Sequence, residues 1–191
     1  MFGGKESGKD LFTMKKILRE KHKNKRKELS REVREKEEEG IFNALFTSDF
    51  FIGAKKVFVY NSFNGEVSTV RIIEELIKRG YEVFLPKIVG GEMKAARYAE
   101  EQIEDKFGIK EPVNSEYADS VDVAIVPLLC ADKNLYRIGY GGGYYDRFFM
   151  THTVKKIGIC FSCQLEEKID IEDHDIPLDV LIAGGKILTR R

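Results

Sequence analysis

A glycine-rich segment between two arginines is the stretch of this sequence best suited to chemistry. Residues 137–149 read RIGYGGGYYDRFF, with glycines at positions 139, 141, 142 and 143. Glycine lets a backbone take positive φ angles and approach a ligand closely. The residues after the glycines predict the first turns of a helix, whose unsatisfied N–H groups would point into the loop. A glycine loop that opens a helix is typical of a phosphate-binding site.

Charged side chains around the loop extend this prediction. Arg137 and Arg147 stand at its two ends, and a guanidinium can donate two hydrogen bonds to one phosphate group. Asp146, in the first turn of the helix, would repel a phosphate unless a cation lay between them, which indicates a magnesium ion. The segment lacks both the Walker and the Rossmann glycine spacing. The alternative is a flexible turn without a ligand, whose aromatic residues simply pack.

Alternating strands and helices must position this loop. Helical patterns cover residues 14–46, with Ser30 as an N-cap between two helices, and residues 68–80. Apolar runs predict strands, at residues 55–62, 81–88, 93–99, 122–130, 155–162 and 179–185. This order predicts an α/β fold, with an open, mainly parallel sheet and helices on both faces in three layers. We expect residues 1–13 to be a flexible lead-in and residues 14–191 to form a single domain.

Polar residues that follow the predicted strands should meet at one edge of the sheet. The carboxyl ends of parallel strands share an edge, and ligands bind there in open α/β sheets. The polar residues next to these ends are Asn61, Ser62, Asn64, Glu66, Lys87, Asp132, Arg137, Gln164, His174 and Asp175. We therefore expect the glycine loop and these side chains to form one site.

The overall composition excludes several classes of protein. Of 191 residues 34% are charged, and 32 basic side chains balance 32 acidic ones. A dedicated nucleic-acid or anionic-membrane binder would carry an excess of Lys and Arg. No apolar run approaches the roughly 20 residues of a membrane-spanning helix, and no signal peptide is evident. These features predict a cytoplasmic protein with no nucleic-acid or membrane partner.

Three cysteines are too few for a disulfide scaffold. Cys160 and Cys163 form a Cys-x-x-Cys pair that could bind zinc or act in redox chemistry. The pair lies on a predicted strand, however, so the two side chains should point to opposite faces. We expect both of them and Cys130 to be buried structural residues.

The segment DKNLYRIGYGGGYYDR resembles the signature of the 5-formyltetrahydrofolate cyclo-ligases, which are also called methenyltetrahydrofolate synthetases. Four further segments are similar to the family in order and spacing: KKILREKHKNKRKELS, VYNSFNGEVST, FGIKEP and CQLEEKIDIEDHDIPLD. Together they cover nearly all of residues 14–182. Agreement over five separated segments is far more specific than a single glycine run.

This resemblance implies a reaction in which ATP and Mg2+ convert 5-formyltetrahydrofolate into 5,10-methenyltetrahydrofolate, with release of ADP and phosphate. It implies that Arg137, Glu66 and Tyr145 are catalytic and that Asp146 and Asp175 bind the metal. Folate would contact Glu66, Tyr144 and Tyr145. The residues expected to bind ATP are Lys15, Arg19, Arg137, Gly139, Tyr140, Gly141, Gly142, Gly143, Tyr144, Tyr145 and Asp146. The partners would be small molecules, a reduced folate and ATP, and we expect a monomer.

Each assignment has a structural alternative. Lys15 and Arg19 share a helical face with Lys23 and Arg26, and a basic stripe is usually solvated. Glu66 could instead favour the dipole of the helix predicted at residue 68. At the level of the whole protein, the alternatives are a sugar-phosphate isomerase or carrier transferase with a phosphate-binding glycine loop, and a nucleic-acid-binding module built on residues 15–36.

The sequence also departs from the family pattern at three positions. Family members commonly have Asp in place of Ser68, an aromatic residue in place of Ala131 and Gly in place of Leu135. The last two changes fall in the hairpin that leads to Arg137. We expect Asn134 to take the left-handed turn conformation there, because Asn tolerates it.

Overall fold

The computed structural model describes residues 4–104, 108–113 and 116–190, with side chains from residue 11 onward. It contains four α-helices: α1 (Gly4–Lys27), α2 (Arg31–Thr47), α3 (Val70–Lys78) and α4 (Tyr144–Thr151). Within the described residues, the first seven strands along the chain are β1 (Lys56–Val59), β2 (Glu82–Val89), β3 (Glu92–Arg97), β4 (Gln102–Glu104), β5 (Lys110–Pro112), β6 (Tyr117–Ala118) and β7 (Val123–Val126). The remaining strands are β8 (Cys130–Asp132), β9 (Arg137–Ile138), β10 (Lys155–Cys160), β11 (Leu165–Glu166), β12 (Val180–Ala183) and β13 (Lys186–Thr189).

The main sheet has eight strands in the order β13-β12-β10-β7-β1-β2-β3-β6. The five central strands, from β12 to β2, are parallel to one another. The strands at the two edges, β13 on one side and β3 and β6 on the other, pair antiparallel. The predicted mainly parallel α/β sheet is therefore confirmed. Its parallel core brings five carboxyl strand ends to one edge.

Helices cover both faces of this sheet, as predicted. Apolar side chains of α2 and α3, among them Leu45 and Leu76, pack with one set of alternating strand residues. Phe148 and Phe149 of α4 pack with the other set, on the opposite face. Period-two alternation along each strand therefore divides the core into two layers, with the sheet between them.

Two element boundaries differ from the sequence-based expectation. Helix α1 begins at Gly4, inside the segment expected to be a flexible lead-in, so the helical conformation extends upstream of the recognisable pattern. The run predicted as one strand at residues 122–130 is two strands, β7 and β8, separated at Pro127. Proline lacks an N–H group and cannot continue a central ladder. The chain leaves the main sheet there and enters a small sheet, β11-β8-β9, whose last strand leads into the glycine loop.

None of the helices in the described part of the chain has an apolar stretch long enough to cross a bilayer.

Candidate active site

The β8–β9 hairpin sets the position of the glycine loop. Asp132, fully buried at its base, accepts hydrogen bonds from the N–H groups of Asn134 (3.0 Å), Tyr136 (3.1 Å) and Ile169 (3.0 Å). Asp132 therefore caps this turn. Its carboxylate fixes Asn134 and Tyr136, just before Arg137, so the loop begins from a rigid base.

The left-handed residue of this hairpin is Leu135, with φ of 67°, so the expectation for Asn134 is wrong. A bulky residue in this region costs about 1 to 2 kcal/mol. Leu135 is completely buried in the core beside α4, and its carbonyl accepts a hydrogen bond from Leu178 N (2.9 Å). Burial of a leucine side chain contributes about 1.5 to 3 kcal/mol, which offsets the backbone strain.

The glycine loop runs directly into α4, as predicted. Gly141 and Gly143 have positive φ angles of 101° and 65°, and Gly143 is the N-cap of the helix. Arg147 donates to Gly142 O (2.9 Å), and its guanidinium lies 4.8 Å from the centre of the Tyr144 ring. The loop thus presents exposed backbone at a helix N-terminus, with an arginine beside it.

Helix α1 lies over the loop and brings two basic residues to it. Arg19 donates from Nε to Gly139 O (2.9 Å), and its guanidinium is 3.3 Å from the place that a Cβ on Gly141 would take. Lys15 is 9% exposed, and its Nζ contacts Asp175 Oδ2 (2.6 Å) and Glu172 Oε2 (2.8 Å). Burial lowers the pKa of Lys15, but the hydrogen bonds to the two carboxylates outweigh it and raise the pKa overall. The solvated-stripe alternative is therefore wrong for Lys15.

Arg137 and Asp146 form a second buried ion pair. Arg137 Nη2 lies 3.0 Å from Asp146 Oδ1, and the Arg137 side chain is only 4% exposed. The other Arg137 nitrogen, Nη1, donates to Ile176 O (2.6 Å), while Ile176 N donates to the same Asp146 oxygen (3.3 Å). Asp146 and Asp175 thus lie on either side of one short stretch of backbone, each paired with a basic side chain.

The segment before β12 carries a cluster of possible metal ligands. Ligand atoms of Glu172, His174 and Asp175 all lie within 4.8 Å of one another. Asp175 was expected here, whereas Glu172 was not singled out from the sequence; the acidic run IEDHD was the available signal. His174 is exposed and lies 3.8 Å from Glu172 Oε2. Asp146 is not in this cluster, because its Oδ1 faces Arg137.

Glu66 is buried in the turn that follows β1. It is 7% exposed, and its Oε2 accepts from Phe63 N (3.1 Å). Among the residues that the structure describes, none forms a hydrogen bond with Oε1. Burial raises the pKa of Glu66 to about 7, while the Phe63 N–H, the Arg26 charge and the nearby Tyr140 hydroxyl act in the opposite direction. The Tyr140 hydroxyl is close enough to favour the charged carboxylate, but its position relative to Glu66 Oε1 does not give a well-formed hydrogen bond. The side chain of Glu66 does not cap α3, which begins at Val70.

Two of the three tyrosines in and after the loop, Tyr140 and Tyr145, lie near Glu66. Tyr145 packs its ring near Phe58 and Phe149, and its buried hydroxyl forms no hydrogen bond with any residue in the described ranges. Burial, and then the nearby charge of Glu66, raise the pKa of Tyr145 far above its ordinary value. Tyr140 packs on Phe63, with ring centres 5.3 Å apart, and Tyr144 lies under Arg147. Unsatisfied polar groups on Glu66 and Tyr145 therefore face the same region.

Arg26 is a site residue that sequence reasoning missed. It is 2% exposed and donates from Nη2 to Asn64 O (2.8 Å) and to the Tyr140 hydroxyl (2.9 Å). The sequence placed it in a basic stripe with Lys23, which does lie at the surface and pairs with Glu20. Helical spacing places Lys15, Arg19 and Arg26 on one face of α1, but spacing alone does not show that this face turns inward.

Other candidates near the strand ends have structural roles. Gln164 is buried, accepts from Phe161 N (3.0 Å) and donates to the carbonyls of residues 128 (2.8 Å) and 129 (3.0 Å), so its hydrogen bonds hold two loops together. Lys87 donates to Pro112 O (2.7 Å). Cys160 is buried at the end of β10, as expected, whereas Cys163 lies in the 3-10 turn after this strand and is half-buried, so the expectation of a buried strand residue is wrong for Cys163. The two side chains pack in opposite layers of the core.

Comparisons with known proteins agree on one family. The model of the 5-formyltetrahydrofolate cyclo-ligase family matches residues 12–184. A probable 5-formyltetrahydrofolate cyclo-ligase of Caenorhabditis elegans is 30% identical over 180 residues, which is 84% of this chain and 87% of the relative. The 5-formyltetrahydrofolate cyclo-ligase of Escherichia coli K12 is 33% identical over 147 residues, covering 70% of this chain and 80% of the relative.

Solved structures extend this similarity to the fold. The 5,10-methenyltetrahydrofolate synthetase of Aquifex aeolicus superimposes with a TM-score of 0.84 at 34% identity, covering 93% of each chain. The 5,10-methenyltetrahydrofolate synthetase of Mycoplasma pneumoniae gives a TM-score of 0.71 at 26% identity, over 88% of this chain and 97% of that one.

Proposed function

The chain belongs to the 5-formyltetrahydrofolate cyclo-ligase family, an enzyme family that forms 5,10-methenyltetrahydrofolate, and we propose that it drives this ring closure with ATP and Mg2+. In this proposal the glycine loop and α1 bind the nucleotide, and the Glu66 turn and the tyrosines bind the folate. Family membership replaces the alternatives of a sugar-phosphate isomerase, a carrier transferase and a nucleic-acid-binding module.

The pairing of two basic side chains with two carboxylates carries this proposal. Lys15 pairs with Asp175 and Arg137 pairs with Asp146 beside the loop. A magnesium–triphosphate complex offers both partners that these four groups need, since phosphate oxygens attract Lys and Arg while the metal attracts carboxylates. The four residues thus provide cations for the phosphates and carboxylates for the metal.

The remaining loop contacts suit a transferred phosphoryl group. Arg19 lies against Gly139 and Gly141, and Arg147 lies at Gly142, so a guanidinium is near each side of the loop. Phosphoryl transfer needs positioning and cations matched to the developing charge rather than a covalent intermediate. We assign Lys15, Arg19 and Arg137 to the phosphates and the Gly139–Gly143 backbone to their oxygens.

The acidic residues suit magnesium by their chemistry. Asp146 and Asp175 provide carboxylate oxygens, which are the ligands that this ion prefers, and Glu172 lies next to Asp175. When bound, the metal would neutralise charge on the transferring phosphoryl group. Lys15 and Arg137 orient the carboxylates beforehand, because each donates a hydrogen bond to one of them.

The folate side is defined by polar atoms that lack partners. Glu66 Oε1 and the Tyr145 hydroxyl are both buried and unsatisfied. Buried polar groups are rarely left unpaired, because each costs about 1 to 3 kcal/mol. A reduced pterin, with ring N–H groups and a carbonyl oxygen, could satisfy both of them. We assign Glu66 to orient the ring that bears the formyl group, and Tyr144 and Tyr145 to contact it.

The proposed chemistry has two steps and requires no enzyme nucleophile. The formyl oxygen on N5 attacks the γ-phosphorus of ATP, and ADP leaves. N10 then attacks the formyl carbon, the oxygen departs as phosphate, and N10 loses its proton, which closes the ring. The cysteines do not suit covalent catalysis, because burial raises the pKa of Cys130 to about 12.

Absorbance of the methenyl product tests this proposal. The protein is mixed with 5-formyltetrahydrofolate, with and without ATP and Mg2+, and Asp146→Asn is compared with Arg31→Gln. Arg31 lies on the exposed side of α2 with its side chain 91% exposed, which makes it a suitable control. We expect product only with ATP and Mg2+, a loss of rate in Asp146→Asn, and an unchanged rate in Arg31→Gln. Product formation without nucleotide would contradict the proposal.

A further inference from the structure

We propose that Arg26 is a positioning residue that couples the folate side of the active site to the ATP side. Its single guanidinium holds both the turn that carries Glu66 and the glycine-loop residue Tyr140. The inference rests on the proposed function, because it assigns the two ends of this link to the two substrates.

The contacts of Arg26 span two segments that are distant in sequence. Nη2 donates to Asn64 O at 2.8 Å and to the Tyr140 hydroxyl at 2.9 Å. The residue is 2% exposed, so solvent does not compete for these bonds. A guanidinium is a fixed planar fork. A shift of Tyr140 therefore moves the group that holds the Glu66 turn.

A second arginine, Arg34, holds both the backbone of Arg26 and the turn that Arg26 contacts. Arg34 of α2 donates from Nη1 to Gly65 O (3.1 Å) and from Nη2 to the carbonyl of Arg26. Two consecutive carbonyls of the turn, those of Asn64 and Gly65, are thus held by arginines from two helices. Asn64 and Gly65 both have positive φ, at 49° and 74°. This backbone conformation is less favourable for Asn, and these two side chains help to hold it.

The loop and the turn also meet through their aromatic rings. The Tyr140 and Phe63 rings pack with centres 5.3 Å apart, and Phe63 N donates to Glu66 Oε2. Tyr140 is 38% exposed and lies among the glycines of the loop. The route from loop to carboxylate is therefore short, and it runs through Tyr140, Arg26 and the 63–66 turn.

Arg26 also has a second terminal nitrogen, Nη1, whose hydrogen-bonding capacity is available to a ligand. Within the described part of the chain, neither its buried Nη1 nor the buried Glu66 Oε1 has a hydrogen-bond partner. A buried cation with an unsatisfied N–H group is costly for stability. This cost is consistent with a functional role, in which the guanidinium orders the turn and favours the charged form of Glu66.

Such a link predicts that the two substrates bind cooperatively. Nucleotide that orders the glycine loop would fix Tyr140, and through Arg26 it would fix Glu66 for the pterin. Coupling between sites is reciprocal, and typical values correspond to about 5-fold to 150-fold in affinity. We expect an ATP analogue with Mg2+ to tighten folate binding by at least about fivefold within this range.

Calorimetry on the full chain tests the coupling directly. The Kd of 5-formyltetrahydrofolate is measured with and without a non-hydrolysable ATP analogue and Mg2+, and the ratio of the two Kd values is the readout. The variants are Arg26→Gln, Arg26→Lys, Tyr140→Phe and the double variant Arg26→Gln/Tyr140→Phe, with Arg31→Gln as the matched arginine control. Tyr140→Phe keeps the ring that packs on Phe63 and removes only the acceptor, so it carries the test even if Arg26→Gln fails to fold.

We expect the ratio to approach one in both Arg26 variants and in Tyr140→Phe, with no further change in the double variant, because both residues form the same link. Arg31→Gln should keep the wild-type ratio. A wild-type ratio of one overturns the proposal, and so does a ratio that survives in Tyr140→Phe and Arg26→Lys. A purely structural role would weaken both substrates without changing the ratio. Failure of the proposed function would instead show as an absence of product in the wild type, so the two failures are distinguishable.

Discussion

Replacing Glu66 with glutamine should make the protein more stable at neutral pH while removing its activity. Glu66 is 7% exposed, and burial raises its pKa from 4.5 to about 7. Only one of its oxygens is hydrogen-bonded, to Phe63 N. Glutamine has nearly the same shape and no charge, so Glu66→Gln removes the cost of ionising a buried carboxyl. A residue that lowers stability in this way is expected to serve function.

The sign and size of the effect follow from proton linkage. Well below pH 4.5 the carboxyl is protonated in both folded and unfolded chains. As the pH rises toward 7, the unfolded chain loses its proton first, so the free energy of unfolding falls by about 1.4 kcal/mol per pH unit. A rise from 4.5 to about 7 therefore corresponds to about 3 kcal/mol. Above pH 7 the loss is complete.

Urea denaturation across this pH range measures the effect. Glu66→Gln and the wild type should have similar stability near pH 4.5, and the variant should be more stable by about 3 kcal/mol at pH 8. Glu32→Gln, at an exposed position of α2, is the control and should follow the wild-type pH dependence. A stability difference between Glu66→Gln and wild type that is independent of pH would refute this reasoning.

The same ionisation should appear in the kinetics. The pH dependence of kcat/KM reports groups of the free enzyme. With folate as the varied substrate, kcat/KM should rise through an ionisation near pH 7 as Glu66 becomes charged and able to accept hydrogen bonds. Glu66→Gln should lose this ionisation together with most of the rate. A wild-type profile without it between pH 6 and 8 would argue against a carboxylate role for Glu66.

Three further predictions address the nucleotide side and the core. Mg2+ alone and an ATP analogue alone should each raise Tm less than half as much as both together. Either one alone would break the ion pairs of Lys15 and Arg137 without replacing both partners in each pair. Additive shifts in Tm would contradict this. Gly143→Ala places a side chain at φ of 65°, which costs about 1 to 2 kcal/mol. It should raise the KM for ATP several-fold and the KM for folate less, because the folate side feels the loop only through its tyrosines; an unchanged KM for ATP would contradict the nucleotide role of the loop. Gly158→Ala would place a Cβ 2.4 Å from Leu178 Cδ1. It should therefore lower the free energy of unfolding by about 1 to 3 kcal/mol and leave the KM values for ATP and folate unchanged. Unaltered stability in urea would contradict this, because it would show that the core relaxes around the added methyl group.

The sheet and its two helical layers could be predicted from the sequence because each element is locally consistent. The apolar runs at β1, β7, β10 and β12 are continuous, as expected for strands covered on both faces. Ser30 caps α2 through Val33 N, as the sequence indicates. The boundary at Pro127 could have been predicted too, since proline cannot donate to a ladder.

The interior face of α1 could not be predicted in the same way. Lys15 and Arg26 read as members of a solvated stripe, because helical spacing alone does not show what a face meets. Their burial depends on segments far away in the chain, the 172–175 region for Lys15 and the 64–65 turn for Arg26. The resemblance to a family supplied Lys15 and Arg19, whereas Arg26 became evident only from its contacts.

Leu135 shows why a local rule can fail. Asn is the residue that tolerates left-handed backbone, and Asn134 stands next to the position where the strained angle occurs. The core beside α4 has room for a leucine at position 135, and its burial outweighs the backbone preference. Conformational rules for turns thus yield to packing when the side chain concerned is fully buried.

The measurement that tests the central claim most directly follows the oxygen of the formyl group. The protein is incubated with 5-formyltetrahydrofolate that carries 18O in the formyl group, together with ATP and Mg2+, and the released phosphate is examined by mass spectrometry. The account predicts that the label appears in phosphate in step with the methenyl product, because the formyl oxygen is phosphorylated before the ring closes. Release of the label into water, with unlabelled phosphate, would contradict it.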